Sequence, residues 1–178
     1  WDVGSPWYRP NRVNHCVSGG EYGWRSGTGK WPVYYPDSLP TNLDIGLASP
    51  TGVKFGTKSH FPEKYRNAFV IADWNYGKIF AVHLKPDGAS YSGDFETFVA
   101  GRPLAVSDIE FGHDGAMYFI IGGWKMQSGL YRISHAGTPA TAANPSKPQV
   151  VSNRAAEARA LRRKLEAFHG KKDPRAID

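Results

Sequence analysis

The chain has 178 residues, is 40% hydrophobic and carries a formal charge of +6. This is enough apolar sequence for one ordinary domain, and no apolar run approaches the roughly 20 residues that a membrane helix needs. The single cysteine, Cys16, excludes a disulfide or a cysteine-based zinc cluster within these residues. Most of the basic excess lies between residues 154 and 175, so a nucleic-acid role for the whole chain is not supported.

Residues 1–151 predict an all-β structure. Aromatic residues, glycine and proline dominate, and short apolar stretches recur between turn signals. Apolar and polar residues alternate at Val53-Lys54-Phe55 and at Ile109-Glu110-Phe111, which is typical of half-buried strands. The tripeptides "PDG" at 86–88 and "HDG" at 113–115 predict tight turns.

A weak internal repeat is the strongest signal of architecture. Its aligned segments are "TGVKFG" (51–56) with "SDIEFG" (107–112), "NAFVIAD" (67–73) with "GAMYFII" (115–121), and "GKIFAVHLKPDG" (77–88) with "SGLYRISHAG" (128–137). A fourth strand is expected at "ETFVA" and at "PQVVS". A period of about 50 residues is typical of a four-stranded propeller blade. Because a blade buries its faces only against other blades, we expect this chain to be part of a longer protein.

Residues 152–178 predict a helical segment. Ser152 or Asn153 is placed to cap a helix, and Gly170 is placed to end it. One stripe of this helix is apolar and is predicted to dock on a neighbour, with the basic face in solvent: Ala158, Leu161, Leu165 and Phe168. The sequence "KKDPRAID" predicts a second helical start after its Asp-Pro pair.

Two simpler site motifs are not supported. "SGTGK" resembles part of a phosphate-binding loop, but Lys30 is followed by Trp31-Pro32, so the required helix cannot begin there. The histidines are scattered and none has the close spacing of a metal-ligand pair. Asp73 and Trp74 end one strand before a glycine turn, much as Gly122, Gly123 and Trp124 do in the second unit, so both turns are expected on the same face.

The strand-like stretch "RVNHCVSGGEYGW" resembles an element of the six-bladed propellers of the soluble glucose/sorbosone dehydrogenase type. The strings "WRSGTGKWPVYYPDSLP", "SPTGVKFG", "FPEKYRNAFVIADWNYGKIFAVHL" and "QSGLYRI" resemble a narrower group of large bacterial proteins described as membrane-bound dehydrogenases. In that group a propeller is followed by HEAT-like helices and a C-terminal cytochrome c domain. The resemblance spans nearly the whole chain.

The resemblance implies that residues 1–151 are C-terminal blades of a six-bladed propeller and that residues 152–178 lead into HEAT-like helices. It implies a periplasmic or exported enzyme that oxidises a sugar or alcohol with pyrroloquinoline quinone (PQQ) and Ca²⁺. Electrons would pass to haem c in a domain outside these residues. The alternative is a non-catalytic propeller that binds carbohydrate or acts as a scaffold, which the six Trp and nine Tyr residues also suit.

Site residues follow from the same resemblance. Asn75 stands where those enzymes have a lysine, and "AVSD" stands where they have R-x-R-D. Asp108 therefore matches, whereas Ala105 and Ser107 replace the arginines that clamp the quinone. Asp73, Asn75 and Asp108 are predicted near a ligand. Their structural alternatives are packing at the rim and hydrogen bonding in the inner turn.

Two further residues are predicted at the same site. The backbone carbonyl of Tyr22 matches a Ca²⁺ ligand of those enzymes, whose side-chain carboxylate has no counterpart in "RSGTGKWP"; Asp37 is the nearest acid downstream. Arg25 follows the Trp turn and is predicted to contact an anionic ligand or to form a salt bridge. The catalytic histidine of those enzymes would precede Trp1, so no catalytic residue is assigned.

Overall fold

The computed structural model describes residues 10–22, 34–137 and 153–176. Within them the chain is mostly β, as predicted, and forms three antiparallel sheets. The strands are β1 (Asn11–Val13), β2 (Leu43–Gly46), β3 (Pro50–Phe55), β4 (Phe69–Asp73), β5 (Lys78–Asp87), β6 (Ser90–Ala100), β7 (Val106–Phe111), β8 (Met117–Gly123) and β9 (Met126–Ile133). The helices are α1 (Glu63–Arg66) and α2 (Asn153–Glu166).

The sheets are β1-β2, β3-β4-β5-β6 and β7-β8-β9, each in chain order. The aligned segments of the internal repeat fold as corresponding strands of two separate sheets: β3 with β7, β4 with β8, and β5 with β9. The predicted strand at "ETFVA" is the end of the longer strand β6. Its counterpart at "PQVVS" lies outside the described residues.

The two larger sheets share fine detail as well as strand order. The hairpins β3-β4 and β7-β8 each have a register shift near the start of their first strand. The shifts lie between Pro50 and Gly52 and between Val106 and Asp108. One backbone hydrogen bond occurs twice, from Trp74 to Ser49 at 3.0 Å and from Gly122 to Ala105 at 3.1 Å. A second pair of equivalent bonds closes the other end of each hairpin. These matches confirm that the sequence repeat is a structural repeat.

The main core lies between these two sheets. Strands β4 and β5 contribute Val70, Ala72 and Ile79, and the facing sheet contributes the side chains Val106, Ile109, Phe111, Met117, Phe119 and Ile121. Phe61, from the insertion between β3 and β4, fills one end. Burial of this apolar area is the main force that joins the sheets.

The first strands of the two sheets also lie side by side. The hydroxyl of Thr51 in β3 donates to the carbonyl of Val106 in β7 at 2.6 Å. Further along, the ammonium of Lys54 lies 2.6 Å from a carboxylate oxygen of Glu110. This pairing raises the pKa of Lys54 and lowers the pKa of Glu110. Because both groups are exposed, the contact orients the strands more than it stabilises them.

The opposite face of the first sheet is covered by β1 and β2. Val13 and Ile45 of this small sheet pack on Ile71, Phe80 and Val82. The sheet of β3 to β6 is therefore covered on both faces, at least over its central strands.

The outer face of the β7-β8-β9 sheet differs, because it is open in the described structure. Ile120 pairs with Leu130 on this face, and they are 45% and 70% exposed. The residue that the repeat aligns with Ile120 is Ala72, which is fully buried between the sheets. Equivalent positions are therefore covered in the first unit and uncovered in the second.

Both predicted "DG" turns are confirmed. Gly88 has a φ of 54° in the hairpin between β5 and β6, and Gly115 has a φ of 71° between β7 and β8. Asp114 in the second turn accepts hydrogen bonds from Arg132, the Ala116 amide and the Tyr118 hydroxyl. These contacts, with Arg132 the main cause, lower the pKa of Asp114 to about 2.

The predicted terminal helix is confirmed. Helix α2 is present, and a short helical turn begins at Pro174. Leu161 and Leu165 of the predicted docking stripe are each more than half exposed among the described residues, so docking on a neighbour stays a prediction. Arg159 donates to the Gly88 carbonyl at 3.0 Å, and Arg162 lies 3.4 Å from the ring nitrogen of His15. Polar contacts with the β5–β6 turn and residue 15 therefore orient this helix.

Over the described part of the strand-like stretch that begins at Arg12, only Arg12 and Val13 lie in a strand. Strand β1 ends at Val13, and a loop follows that contains a turn at Ser18–Gly19. In the described part of the chain, no helix combines the length and apolar character needed to cross a membrane. This agrees with the prediction of no membrane span in these residues.

Candidate functional site

One end of the two larger sheets carries the predicted site residue Asn75, with Asp73 directly before it in the chain. We call this end the rim, and define it as residues 47–49, 74–77, 101–105 and 122–125. Hydrogen bonds join these segments, among them Gly101 to Gly77 at 3.1 Å and Trp74 to Ser49 at 3.0 Å. The prediction that the turns after β4 and β8 lie on one face is therefore confirmed.

Asp73 holds the first turn of the rim together. Its side chain is fully buried, and its carboxylate accepts three backbone hydrogen bonds. Oδ1 receives the amides of Ser49 at 2.7 Å and Asn75 at 3.2 Å, and Oδ2 receives the amide of Tyr76 at 3.0 Å. These three bonds commit the carboxylate of Asp73 to the turn. Asn75 itself is exposed beside it.

Trp74 links the rims of the two sheets. Its indole Nε1 donates to the carbonyl of Gly122 at 2.8 Å. Its ring lies against Gly123, where an added Cβ would come within 2.9 Å of the indole. The aligned backbone position in the second unit is Gly122 rather than a tryptophan. The two tryptophans are therefore not equivalent, since Trp74 is partly packed and Trp124 is free of the sheet surface.

Trp124 and Lys125 form the whole loop between β8 and β9. Gly123 pairs with Met126, so only these two residues make the turn. Lys125 has a φ of 61°, a left-handed conformation that glycine and asparagine normally supply in such hairpins. Trp124 is 88% exposed, and the Lys125 ammonium lies 5.9 Å from its ring centroid. The loop presents a large indole and a cation to solvent.

Asp108 lies in β7, at the place where this strand approaches β3. Its Oδ1 accepts the adjacent Ile109 amide at 2.8 Å, and an added Cβ on Gly52 would come within 2.9 Å of that oxygen. The residue is exposed. The resemblance places the quinone clamp beside it, but Ala105 is buried and Ser107 donates to the Gly122 carbonyl. The described residues around Asp108 therefore do not form the cationic clamp that quinone carboxylates need.

The predicted Ca²⁺ ligand lies in a different loop. The Tyr22 hydroxyl donates to the His15 carbonyl at 2.9 Å and accepts the Val17 amide at 2.7 Å. These bonds close the loop on itself. Over the described residues, no group of three or more histidine, cysteine or acidic side chains is arranged to hold a metal. Arg25 lies outside the described residues.

Positive charge predominates on the exposed rim. Arg102 and Lys125 are exposed, and Lys78 follows directly after the first turn. Asp73 is buried under its three amide donors, which leaves Asp108 as the exposed acid among the described residues at this end. The rim therefore combines aromatic surface with a net cationic character.

Sequence reasoning missed Lys125 and the exposure of Trp124. The alignment of the repeat carried the necessary signal, because the second unit places two bulky residues where a hairpin normally has Asn-Gly. The sequence pattern alone pairs Trp124 with Trp74, since both follow a strand at a glycine turn.

No protein-family model matches the chain, and no curated protein has significant similarity to it.

Proposed function

We propose that this chain forms consecutive blades of a six-bladed β-propeller whose rim binds carbohydrate. The repeated strand order, the repeated register shift and the lateral contact of β3 with β7 support the propeller. In that fold the first strand of each blade lines a central axis, and each blade packs face to face on the next. The contact of Thr51 with Val106 suits two such inner strands.

The open face of the second sheet supports further blades. Ala72 is buried by the following sheet, whereas its counterpart Ile120 is exposed together with Leu130. A third antiparallel sheet seated on this face would bury both side chains in the way that the second sheet buries Ala72. Stacked repeats require such coverage because each unit contacts mainly its neighbours.

The observation that carries the carbohydrate proposal is the indole of Trp124, 88% exposed on a two-residue loop at the rim. An indole face offers a flat apolar surface that suits the C–H face of a sugar ring. Trp74 lies next to it and is held by the Gly122 carbonyl, so the rim has one fixed and one projecting tryptophan. A tight hairpin keeps the projecting ring near the other rim segments.

A second function follows from the sequence resemblance: oxidation of a sugar or alcohol with PQQ and Ca²⁺, with electrons passed to a cytochrome c domain in the periplasm. The exposed carboxylate of Asp108 at the inner strands favours it. Dye-linked oxidation of a sugar panel by the longer protein, with PQQ and Ca²⁺ added, tests this activity. Sugar binding without turnover favours the binding module.

Changing Trp124 tests the carbohydrate site directly. We expect Trp124→Leu to weaken oligosaccharide binding about tenfold, since the ring is lost while an apolar side chain remains. Trp124→Phe keeps a flat ring and should lose much less. The measurement is isothermal titration calorimetry with neutral and acidic oligosaccharides.

Both variants should unfold at nearly the wild-type urea concentration, because the side chain is exposed. Equal affinities of wild type and Trp124→Leu for every sugar that binds would contradict the site. A complete lack of sugar binding by the wild type would contradict the carbohydrate function itself.

A further inference from the structure

We infer that the rim selects acidic sugars, with the Lys125 ammonium binding the carboxylate of a uronic acid whose ring stacks on Trp124. This inference rests on the proposed carbohydrate function and adds the class of sugar. It depends on the loop geometry, on the charges of the rim and on the chemistry of the two side chains.

The loop places an aromatic ring and a cation on consecutive residues. The Lys125 nitrogen lies 5.9 Å from the centre of the Trp124 ring, and both side chains are exposed. A uronate has a complementary arrangement of groups, because its carboxylate projects from the edge of a ring that has apolar C–H faces. The indole would stack on the face of the sugar ring, and the ammonium would form an ion pair with the carboxylate.

The backbone of Lys125 indicates that stability does not explain this loop. Its φ of 61° lies in the left-handed region, which costs a residue with a side chain free energy that glycine avoids. A two-residue hairpin is best served by Asn-Gly or similar pairs. The side chains present here are not those that suit the turn best, and both residues are exposed.

The surrounding charges favour an anion. Arg102 belongs to the same rim and is exposed, as Lys125 is. Asp73 is buried and hydrogen-bonded to three amides, which turns its charge inward. Asp108 is an exposed acid near this end of the sheets. It lies in β7 against Gly52 and not on the β8–β9 loop.

The test uses a charged and a neutral ligand with the same sugar backbone: tetragalacturonate and its full methyl ester. At low ionic strength we expect the wild type to prefer the acid about fivefold, a preference that falls as salt is added. Lys125→Gln should remove most of this preference, because it weakens binding of the acid more than binding of the ester. Calorimetric titration of both ligands measures the two affinities.

Lys125→Gly is the control for the backbone. It should lose the preference for the acid as Lys125→Gln does, and it should unfold at a higher temperature because glycine suits the positive φ. A result in which acid and ester bind equally to the wild type, or in which Lys125→Gln keeps the preference, overturns the inference and leaves the carbohydrate function standing. If neither ligand nor any neutral oligosaccharide binds, both proposals are wrong.

Discussion

Replacing Asp73 by alanine is expected to lower the free energy of unfolding by about 3–5 kcal/mol, because three backbone amides would lose a buried ionised acceptor. The affected amides belong to Ser49, Asn75 and Tyr76, so both the entry to β3 and the turn after β4 should loosen. Urea unfolding followed by tryptophan fluorescence measures the change.

Two other variants are compared with Asp73→Ala: one keeps part of the hydrogen bonding, and the other removes an exposed acid elsewhere. Asp73→Asn can keep the two bonds to Oδ1 and loses the bond from Tyr76, so it should cost less than the alanine variant. Asp94→Ala removes an exposed acid that lies 3.4 Å from Lys85 and should change stability by less than about 0.5 kcal/mol. If Asp73→Ala were as stable as Asp94→Ala, the structural role of this carboxylate would be wrong.

Replacing Ile109 by alanine is the second change with a large expected effect. This side chain is 1% exposed and lies in the core between the two larger sheets. Its truncation should leave a cavity and lower the free energy of unfolding by about 3–4 kcal/mol. The same urea experiment measures it.

Ile120→Ala is the matched control, since it removes the same atoms from the neighbouring strand β8. Ile120 faces the open side of its sheet, so its truncation should cost about 1 kcal/mol or less in this chain. In a longer protein that supplies a further sheet, the cost of Ile120→Ala should rise toward that of Ile109→Ala. Equal costs for both changes in this chain would contradict the described packing.

The sequence predicted the strands and the repeat because both depend on local alternation of apolar residues. Ile109 and Phe111 alternate with Glu110, and the structure buries the first two in the core. The turns at Gly88 and Gly115 were predictable for the same reason, since their conformation is a property of the residue. The bond from Trp74 to Gly122 was not predictable, because it joins residues that only the tertiary fold brings together.

The contacts of α2 are not predictable from its sequence pattern, because they join polar groups that are far apart in the chain. Its arginines contact the Gly88 carbonyl and the His15 ring nitrogen. Helix α1 has only four residues, which is too short for a helical period to be visible in the sequence. The role of Asp73 is not predictable from the sequence, because a buried acid and a ligand-binding acid have the same local sequence.

The central claim is that β3 and β7 lie side by side as the inner strands of two stacked units. A disulfide between Gly52→Cys and Asp108→Cys, in a Cys16→Ser background, tests it most directly. An added Cβ on Gly52 would lie 3.4 Å from the Asp108 Cα, within the reach of a disulfide. We predict complete intramolecular cross-linking on mild oxidation, seen as thiol loss by mass spectrometry, and none for Val53→Cys with Asp108→Cys, since Val53 faces the other side of β3. Failure of the first pair to cross-link, or equal cross-linking of both pairs, would contradict the account.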